Sequence, residues 1–217
     1  LCALEEMSLF YNLCIILLSA TMPPFDYGLS EEPGFLNLKV KKPVERYRIV
    51  RYGQMDENEF ADFIADREEK VQGAILNTIE DAYLVYNRMK DYHSNIKLLH
   101  GMMIPLHKRM EIAKIKDHVK KIKEDSEKVC VISTQVIEAG VDLSFEHIGR
   151  ALPILPSIIQ AAGRVNRHFE RPQGGILSVI PFFRGGEKNT RNSIYNSNLL
   201  KITDDLLSQQ EIWLETQ

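Results

Sequence analysis

The sequence predicts an α/β protein built on a mostly parallel, doubly wound sheet with helices on both faces. Short apolar runs typical of buried strands alternate with amphipathic segments typical of helices, and short turns join them. The chain has 217 residues, of which 44% are hydrophobic and 26% are charged. A chain of this length and composition can bury a complete core, and it suits one domain or one domain plus a fragment.

The first 43 residues are expected to differ from the rest of the chain. Residues 1–11 are weakly helical, and residues 13–19 form a continuous apolar run that suits a strand buried in a parallel sheet. Pro, Gly and Glu are frequent in the segment that follows, and we interpret residues 26–43 as a linker.

From residue 44 the alternation of strands and helices becomes regular. Strands are predicted at residues 46–52, 71–76, 96–99, 129–133, 147–152 and 175–181. Helices are predicted at residues 57–70, 79–92 and 106–124, together with a short helix that runs through Ala139 and is closed by Gly140. Residues 190–217 favour helix, and they either pack on the domain or lead towards a segment beyond this chain.

Composition and charge exclude several classes of function. The net charge of −3 gives no global basic field, so any contact with nucleic acid must be local. The three cysteines and six histidines show no metal-ligand spacing, and we expect no metal site. The apolar run at residues 13–18 is too short to cross a bilayer. We therefore expect a cytoplasmic protein, and the Leu at position 1 indicates a piece of a longer one.

Residues 160–168, Gln-Ala-Ala-Gly-Arg-Val-Asn-Arg-His, form a polar segment with regular spacing. With Ser157 as the N-cap, a helix turning about 100° per residue would place Gln160, Arg164 and Arg167 on one stripe. Gly163 would cost that helix about 1 kcal/mol relative to alanine, and close approach of a neighbour is the usual reason for such a glycine. The segment is either a solvated surface helix or an arginine pair that faces a polyphosphate.

Four polar clusters follow predicted strands along the chain: Ser19-Ala20-Thr21, Asn77-Thr78, His100-Gly101 and Ser133-Thr134. Each cluster alone fits an ordinary helix cap or turn. The carboxyl ends of parallel strands meet at one edge of a sheet, where ligands bind. The four clusters together therefore predict a shared polar edge.

Residues 133–143, Ser-Thr-Gln-Val-Ile-Glu-Ala-Gly-Val-Asp-Leu, form a second informative segment. Hydroxyl groups and free amides at a helix N-terminus can hold a phosphate. Asp142 either accepts a hydrogen bond from a ribose hydroxyl or is a simple turn residue. The sequence contains neither the phosphate loop G-x-x-x-x-G-K-[ST] nor an Asp-Glu-x-His segment. Another domain must therefore hold most of any phosphate that the arginines face.

These segments resemble the motifs of superfamily-2 helicases. Residues 19–21 are similar to motif III, residues 133–143 to motif V, and residues 160–167 to motif VI, Q-x-x-G-R-x-x-R. Within the superfamily, the last two segments resemble most the CRISPR-associated helicase of type I interference systems. Residues 76–82 are similar to the Asn-Thr segment of that family, whereas Val165-Asn166 departs from the Thr-Gly of DEAD-box RNA helicases.

The resemblance implies a RecA-like fold and a division of the chain into four parts. Residues 1–25 would end a first RecA-like domain, residues 26–43 would be the linker, residues 44–185 would form the second RecA-like domain, and residues 186–217 would be a helical tail towards an accessory domain. Members of this family bind ATP and Mg²⁺, carry an N-terminal nuclease domain, and are recruited by a guide-RNA surveillance complex. They then unwind and degrade invading DNA. The implied partners are single-stranded DNA, that complex, and the nuclease and first RecA-like domains that this chain lacks.

The resemblance also implies roles for individual residues. Arg164 and Arg167 would be catalytic and face the γ-phosphate. ATP would also contact Gly140, Asp142 and Gln160. The phosphates of one DNA strand would be gripped by Asn77, Thr78, His100, Ser133 and Thr134. The ATP site would be coupled to DNA by Ser19, Ala20 and Thr21. The isolated chain would be inactive, because the phosphate loop is missing.

Two other interpretations remain open at this stage. The first alternative to the CRISPR-associated family is another superfamily-2 motor, of the repair or restriction type. The second is a non-catalytic RecA-like module that binds DNA or protein. A phosphate loop and an Asp-Glu-x-His segment upstream would indicate a motor, and an upstream His-Asp nuclease domain would indicate the CRISPR-associated family.

Overall fold

The computed structural model describes residues 2–14, 45–122, 128–138 and 141–215. The chain divides into two compact units, Leu1–Pro43 and Val44–Gln217. In the first unit, helix α1 spans Cys2–Tyr11, as predicted for residues 1–11. Most of the strand predicted at residues 13–19 lies outside the described residues, and so do the linker and the Ser19-Ala20-Thr21 cluster.

The second unit contains nine strands and five helices within its described residues. The strands are β1 Tyr47–Arg51, β2 Val71–Ile75, β3 Ile96–Leu99, β4 Val129–Ser133, β5 His147–Ala151, β6 Gly175–Ile180, β7 Phe183–Arg184, β8 Lys188–Asn189 and β9 Ile212–Leu214. The helices are α2 Glu57–Ala65, α3 Ile79–Met89, α4 Pro105–Lys121, α5 Leu155–Ala162 and α6 Ser197–Leu207. Single 3-10 turns span Gln135–Ile137 and Thr190–Ser193.

Seven of these strands form one sheet in the order β3-β4-β2-β5-β6-β1-β9. Strands β1 to β6 run parallel to one another, and β9, at the edge beside β1, runs antiparallel to it. The order doubles back from β2 towards both edges, as in doubly wound sheets. The predicted α/β class with a mostly parallel sheet is therefore confirmed.

Apolar cores lie on both faces of the sheet. Helices α2 and α3 cover one face, where Phe60 and Val85 pack with sheet residues such as Ile132. Helices α4, α5 and α6 contribute Ile115, Ile158 and Leu207 to the other core. Both faces of the central strands are thus covered, and every residue of β2 and β4 is buried, including the polar Gln72 and Ser133.

The close packing of α2 on the sheet depends on Gly149 of β5. A Cβ atom at this position would lie 2.3 Å from Cδ1 of Ile64. The N-terminus of α2 is fixed by a capping box, in which Asp56 accepts from the amide of Glu59 at 2.9 Å and the Glu59 carboxylate accepts from the amide of Asp56 at 3.0 Å. The sequence thus determines both where α2 begins and how near the sheet it can lie.

Helix α5 differs from the prediction at both ends. Its N-cap is Ile154, and Ser157, predicted to be the cap, lies inside the helix. The helix ends at Ala162 with Gly163 as its C-cap, so Arg164 and Arg167 are not on a helix and the predicted stripe is wrong. The chain leaves the helix because Val165 forms an isolated β-bridge with Phe145. In this bridge the amide of Phe145 donates to the Arg164 carbonyl at 2.9 Å. The amide of Asn166 donates to the Phe145 carbonyl at 2.8 Å.

Two further segments also differ from the sequence prediction. The predicted short helix after Thr134 is a 3-10 turn, with Glu138 as its C-cap; Ala139 and Gly140 lie outside the described residues. Residues 190–215 pack on the domain through α6 and β9, and no apolar alternation in this segment had indicated a strand. Within the described chain, no helix is long and apolar enough to cross a membrane.

Candidate functional site

The polar clusters that follow β2, β3 and β4 lie along one edge of the sheet. These three strands are neighbours in the order β3-β4-β2, and all run in the same direction. The amide of Leu76 donates to the Ser133 carbonyl at 2.8 Å, and the amide of Thr134 donates to the Leu99 carbonyl at 3.1 Å. The structure therefore brings Asn77, His100 and Thr134 to the carboxyl ends of adjacent strands.

Asn77 is buried, and its side chain connects two of the segments at this edge. Its Nδ2 donates to the Leu152 carbonyl at 3.2 Å, and its Oδ1 accepts from Arg150 Nη1 at 2.7 Å. Its carbonyl oxygen accepts from Gln135 Nε2 at 3.0 Å. The side chain of Asn77 is thus used to fix the polar edge and is not exposed at the surface.

Thr78 begins helix α3 and is tied to the C-terminal part of the chain. Its hydroxyl accepts from the amide of Asp81 at 3.0 Å and from Arg184 Nη2 at 3.2 Å. The buried Asp81 carboxylate accepts from Arg184 at 2.8 Å and from the Thr190 hydroxyl at 2.7 Å. The conformation of the Asn77-Thr78 segment therefore depends on residues more than a hundred positions away.

The remaining residues of the edge differ in what they can offer a ligand. Ser133 is fully buried, and its hydroxyl donates to the Thr134 carbonyl at 2.5 Å. Thr134 is nearly buried and precedes the 3-10 turn without a side-chain cap. His100 is half-buried, and its Nδ1 has no hydrogen-bond partner among the described residues. Thr134 and His100 are therefore better placed than Ser133 to contact a phosphate.

Arg164 is held by the backbone of the segment that follows β4. Its Nε and Nη2 donate to the Glu138 carbonyl at 3.1 and 2.7 Å, and its Nη1 donates to the Val141 carbonyl at 2.5 Å. Burial lowers the pKa of the Arg164 guanidinium, and the nearby charge of Arg167 lowers this pKa further. Arg164 thus joins the segment after α5 to the segment after β4.

Arg167 is more loosely held and lies in an exposed group of charges. Its Nε lies 3.2 Å from Asp142 Oδ1, with 38% of the Arg167 side chain and 60% of the Asp142 side chain exposed. Lys116 Nζ lies 3.8 Å from the same carboxylate, and His168 Nε2 lies 3.4 Å from it. Exposed ion pairs of this kind contribute little stability and exchange readily for other ligands.

Gln160 and Gly140 complete the predicted nucleotide contacts. Gln160 lies half-buried in the last turns of α5, and its side chain makes no hydrogen bond within the described chain. Gly140 lies outside the described residues. The structure therefore places Arg164, Arg167 and Asp142 together, and among the described residues no hydrogen bond joins them to the Gln160 side chain.

A buried ion pair between Arg150 and Glu138 connects the polar edge with the arginine segment, and sequence reasoning missed it. Arg150 Nε lies 2.9 Å from Glu138 Oε1, with both side chains almost wholly buried. Burial raises the pKa of Glu138, while Arg150 and Ser157 act to lower it. The Glu138 carbonyl accepts from Arg164 and the Arg150 guanidinium donates to Asn77. An arginine inside an otherwise apolar strand, His-Ile-Gly-Arg-Ala, was the available signal.

The chemistry available here is that of phosphate recognition. Arg167 and Lys116 offer donors and positive charge, His168 offers an imidazole nitrogen, and the Asp142 carboxylate can accept from a hydroxyl group. Within the described residues, no group of three or more His, Cys, Asp or Glu side chains is arranged to hold a metal ion. By their chemistry, these donors and the Asp142 carboxylate suit the phosphate and ribose groups of a nucleotide.

The amino-acid sequence of this chain is similar to those of known proteins. Residues 68–170 match the family described as CRISPR-associated nuclease/helicase Cas3, C-terminal. A CRISPR-associated nuclease/helicase Cas3 from Methanothermobacter thermautotrophicus is 26% identical over 215 residues, covering 91% of this chain and 25% of that protein. The chain thus spans about a quarter of the length of this curated relative.

Solved structures show the same fold. A crystal structure of T. fusca Cas3 with ADP has a TM-score of 0.65 and 20% identity, covering 78% of this chain and 22% of that chain. A chain of a CRISPR RNA-guided surveillance complex in a pre-nicking state has a TM-score of 0.62 and 20% identity, covering 78% of this chain and 23% of that chain. These likenesses establish the RecA-like α/β fold.

Proposed function

Residues 68–170 belong to the C-terminal helicase domain of the Cas3 family, and from this premise we propose that the chain is the second RecA-like half of an ATP-dependent DNA motor. Residues 44–185 would form this half, and residues 186–217 would continue towards an accessory domain. A first RecA-like domain, to which residues 1–25 would belong, would hold the nucleotide phosphates. In this proposal the two halves share one ATP site across a cleft.

The exposed Arg167–Asp142 pair carries the proposal. Arg167 has a partner that a phosphate can replace, because the pair is 38% and 60% exposed. A planar guanidinium binds phosphate oxygens through two parallel hydrogen bonds, and such an arginine is worth about 10³ to 10⁵ in the rate of phosphoryl transfer. Arg167 would stabilise the charge that develops on the γ-phosphate, and Asp142 would then be free to accept from the ribose.

The remaining nucleotide contacts are also part of the proposal. Arg164 would stand beside Arg167 in the cleft, with Gln160 and Gly140 near the nucleotide. Mg²⁺ would neutralise phosphate charge, held mainly by the first RecA-like domain. Ser19, Ala20 and Thr21 would couple the ATP site to DNA; these three residues lie outside the described part of the chain.

The polar edge is proposed to bind the phosphates of one DNA strand. Thr134 and His100 would donate directly, whereas Asn77, Thr78 and Ser133 would fix the conformation of the edge or offer backbone amides. Hydroxyl, imidazole and amide contacts to phosphates carry no sequence information, and a motor that moves along any sequence needs contacts of this kind. Hydrogen bonds act only at short range and need no positive field around the protein, so they are compatible with the net charge of −3 on the chain.

The family and its solved structures suggest the biological setting. One structural relative is a chain of a CRISPR RNA-guided surveillance complex. We propose that the motor containing this chain acts with such a complex, in the cytoplasm, in the degradation of invading DNA by type I interference. The nuclease activity would belong to a different domain.

Arg167→Ala in the complete motor tests the proposal. We expect loss of DNA-stimulated ATP hydrolysis by about 10³-fold or more, because Arg164, the other arginine of the site, is held by three hydrogen bonds to backbone carbonyls. Binding of single-stranded DNA should change less than about threefold, because the polar edge is intact. Turnover and fluorescence-anisotropy binding measure the two effects separately.

The matched control is Arg88→Ala. Arg88 is 42% exposed on α3 and has a weak ion pair with Asp62 at 3.9 Å, so both variants remove an exposed arginine with a similar partner. The control should hydrolyse ATP at the wild-type rate. ATP hydrolysis that survives in Arg167→Ala would reject the arginine-finger role. If the wild-type complete motor hydrolyses no ATP, the chain would instead be part of a non-catalytic module that binds DNA or protein.

A further inference from the structure

The segment from Thr190 to Leu207, hereafter the brace, contacts both halves of the proposed site. It consists of the 3-10 turn Thr190–Ser193, the residues after it, and α6. It lies outside the segments that resemble helicase motifs and outside the matched family region, which ends at residue 170. Its contacts therefore need an explanation of their own.

One end of the brace reaches the polar edge through the hydroxyl of Tyr195. This hydroxyl accepts from Arg150 Nη2 at 3.1 Å and from Gln135 Nε2 at 3.2 Å, and it lies 3.4 Å from Asn77 Oδ1, to which it donates. One oxygen thus joins the segment after β2, the segment after β4 and strand β5. Without it, two donors on partly or fully buried side chains would each lose a partner.

The other end of the brace caps α5, the helix that leads to Arg164 and Arg167. The hydroxyl of Thr203, which is buried, accepts from the amide of Leu155 at 3.0 Å and donates to the Leu199 carbonyl at 2.7 Å. The N-cap residue Ile154 has no side chain that could accept this amide. The brace therefore supplies a cap that the local sequence of α5 lacks.

The two ends are joined by a bidentate ion pair. Arg191 Nη1 and Nη2 donate to Asp204 Oδ1 and Oδ2 at 2.9 and 2.5 Å. The paired oxygens and nitrogens fix both distance and orientation between the 3-10 turn and α6. Thr190 also donates to Asp81 at the start of α3, at 2.7 Å. A displacement of the polar edge can thus reach the start of α5 through this pair.

We propose that the brace couples DNA binding at the polar edge to the position of α5, and that Tyr195, Thr203 and the Arg191–Asp204 pair are positioning residues. This inference rests on the proposed function of the site. When a DNA strand displaces the segments around Asn77 and Gln135, Tyr195 moves with them. The ion pair transmits that movement to α6 and, through Thr203, to the helix that precedes the arginines.

The Asp204→Ala variant of the complete motor tests the coupling, with Asp205→Ala as its matched control. Asp205 is the exposed neighbour of Asp204 on the same helix. We expect Asp204→Ala to lower the fold stimulation of ATP hydrolysis by single-stranded DNA at least threefold. The rate without DNA should stay within twofold, because Asp204 contacts neither ligand site. Asp205→Ala should keep the wild-type stimulation.

The Tyr195→Phe variant tests the contact between the brace and the polar edge. We expect the concentration of single-stranded DNA that gives half-maximal stimulation to rise about three- to tenfold, because the polar edge loses its common acceptor. Tyr83→Phe is the control, since Tyr83 is 55% exposed on α3. Wild-type stimulation and half-saturation in both Asp204→Ala and Tyr195→Phe would overturn the proposal, even if their melting temperatures fell.

Hydrogen exchange in the 217-residue chain separates failure of the coupling from failure of the proposed function. Asp204→Ala should speed amide exchange both at residues 76–78 and at residues 155–158, relative to Asp205→Ala. Unchanged exchange at residues 155–158 would reject the brace. If exchange changes as expected but the complete motor shows no DNA-stimulated turnover, the mechanical connection stands and the motor function falls.

Discussion

Arg164 and Arg167 lie three residues apart in different surroundings. Arg164 donates three hydrogen bonds to the carbonyls of Glu138 and Val141, while Arg167 pairs with the exposed Asp142. Charged hydrogen bonds to buried backbone contribute more to stability than exposed ion pairs do. In the proposed site, Arg164 would therefore fix the geometry, and Arg167 would remain available to a ligand.

His147 gives the fold a pH dependence of its own. Its side chain is buried at the start of β5, where Nε2 lies 2.9 Å from the Ser178 hydroxyl and 3.4 Å from Arg67 Nε. Burial, aided by the charge of Arg67, lowers its pKa from 6.5 to about 3. Below about pH 6.5 the unfolded chain takes up a proton that the folded chain does not. The free energy of unfolding must therefore fall as the pH falls towards 3.

The His147→Asn variant tests this dependence. The stability advantage of the wild type over the variant should shrink by about 2 kcal/mol between pH 6.5 and pH 4.5, because the variant has no imidazole to titrate. Urea unfolding at a series of pH values measures it. His107→Asn, at an exposed position on α4, should follow the wild-type curve. Parallel curves for the wild type and His147→Asn would show that the imidazole takes up its proton as readily in the folded protein as in the unfolded chain.

At the residue scale, the sequence allowed the types of functional residue to be predicted better than their environments. The clusters at Asn77-Thr78 and Ser133-Thr134 were recognised because hydroxyl and amide side chains follow apolar runs. That Asn77 would be buried could not be predicted, because its partners Leu152, Arg150 and Tyr195 are distant in the chain. Long-range hydrogen bonds leave no periodic signal in a sequence.

At the scale of elements, apolar periodicity located strands and helices and failed where a long-range contact interrupts a helix. Strands β3 and β4 were predicted to the residue. Helix α5 was extended too far, because Ile158, Ala162 and Val165 continue a helical spacing beyond its end. Val165 keeps its place in the core, but as a bridge partner of Phe145. Strand β9 was missed because it has only three residues, and these pair with β1, which is distant in the chain.

The Gly175→Ala variant tests how the first residue of β6 supports the arginine segment. A Cβ atom at Gly175 would lie 2.4 Å from Cγ1 of Val165 and 2.9 Å from the Glu146 carbonyl oxygen. The Glu146 carbonyl belongs to the backbone and cannot move aside as the end of a flexible side chain can. We therefore expect a loss of about 1–3 kcal/mol in the free energy of unfolding. Val165 would shift, and Arg164 with it. Denaturant titration measures the loss.

Gly53→Ala is the control for this variant. No atom lies within 4 Å of a Cβ built at Gly53, so the substitution should change the free energy of unfolding by less than about 0.5 kcal/mol. Equal stability of the two variants would mean that Val165 and the Glu146 backbone can move apart without cost. In that event the bridge between Val165 and Phe145 would not be the rigid contact that ends α5.

At the scale of the whole molecule, the proposed catalytic site is divided between domains. The sequence carries two arginines of the Q-x-x-G-R-x-x-R segment but no G-x-x-x-x-G-K-[ST] loop. Transition-state charge stabilisation by an arginine needs a nucleotide bound opposite to it. The family was predictable because short motifs occur in the right order, whereas the connection between them through the brace required the folded structure.

We expect the 217-residue chain to show no ATP hydrolysis above background, with or without single-stranded DNA. The measurement is phosphate release at high protein concentration, with a complete motor of the family as the positive control. DNA-stimulated turnover by the purified chain, abolished in its Arg167→Ala variant, would show that residues of this chain bind the phosphates unaided. The division of the site between two domains would then be wrong.

The ion pair between Arg46 and Glu215 has a consequence for chain connectivity. The Arg46 amide donates to Glu215 Oε2 at 2.8 Å and the Arg46 Nε donates to Oε1 at 2.9 Å, so residues 169 positions apart lie side by side. A short linker could join residue 215 to residue 45, and new termini could open at the exposed Gly185-Gly186 turn. Circular permutation of this domain should therefore preserve its fold while it moves the brace to the N-terminal part of the chain.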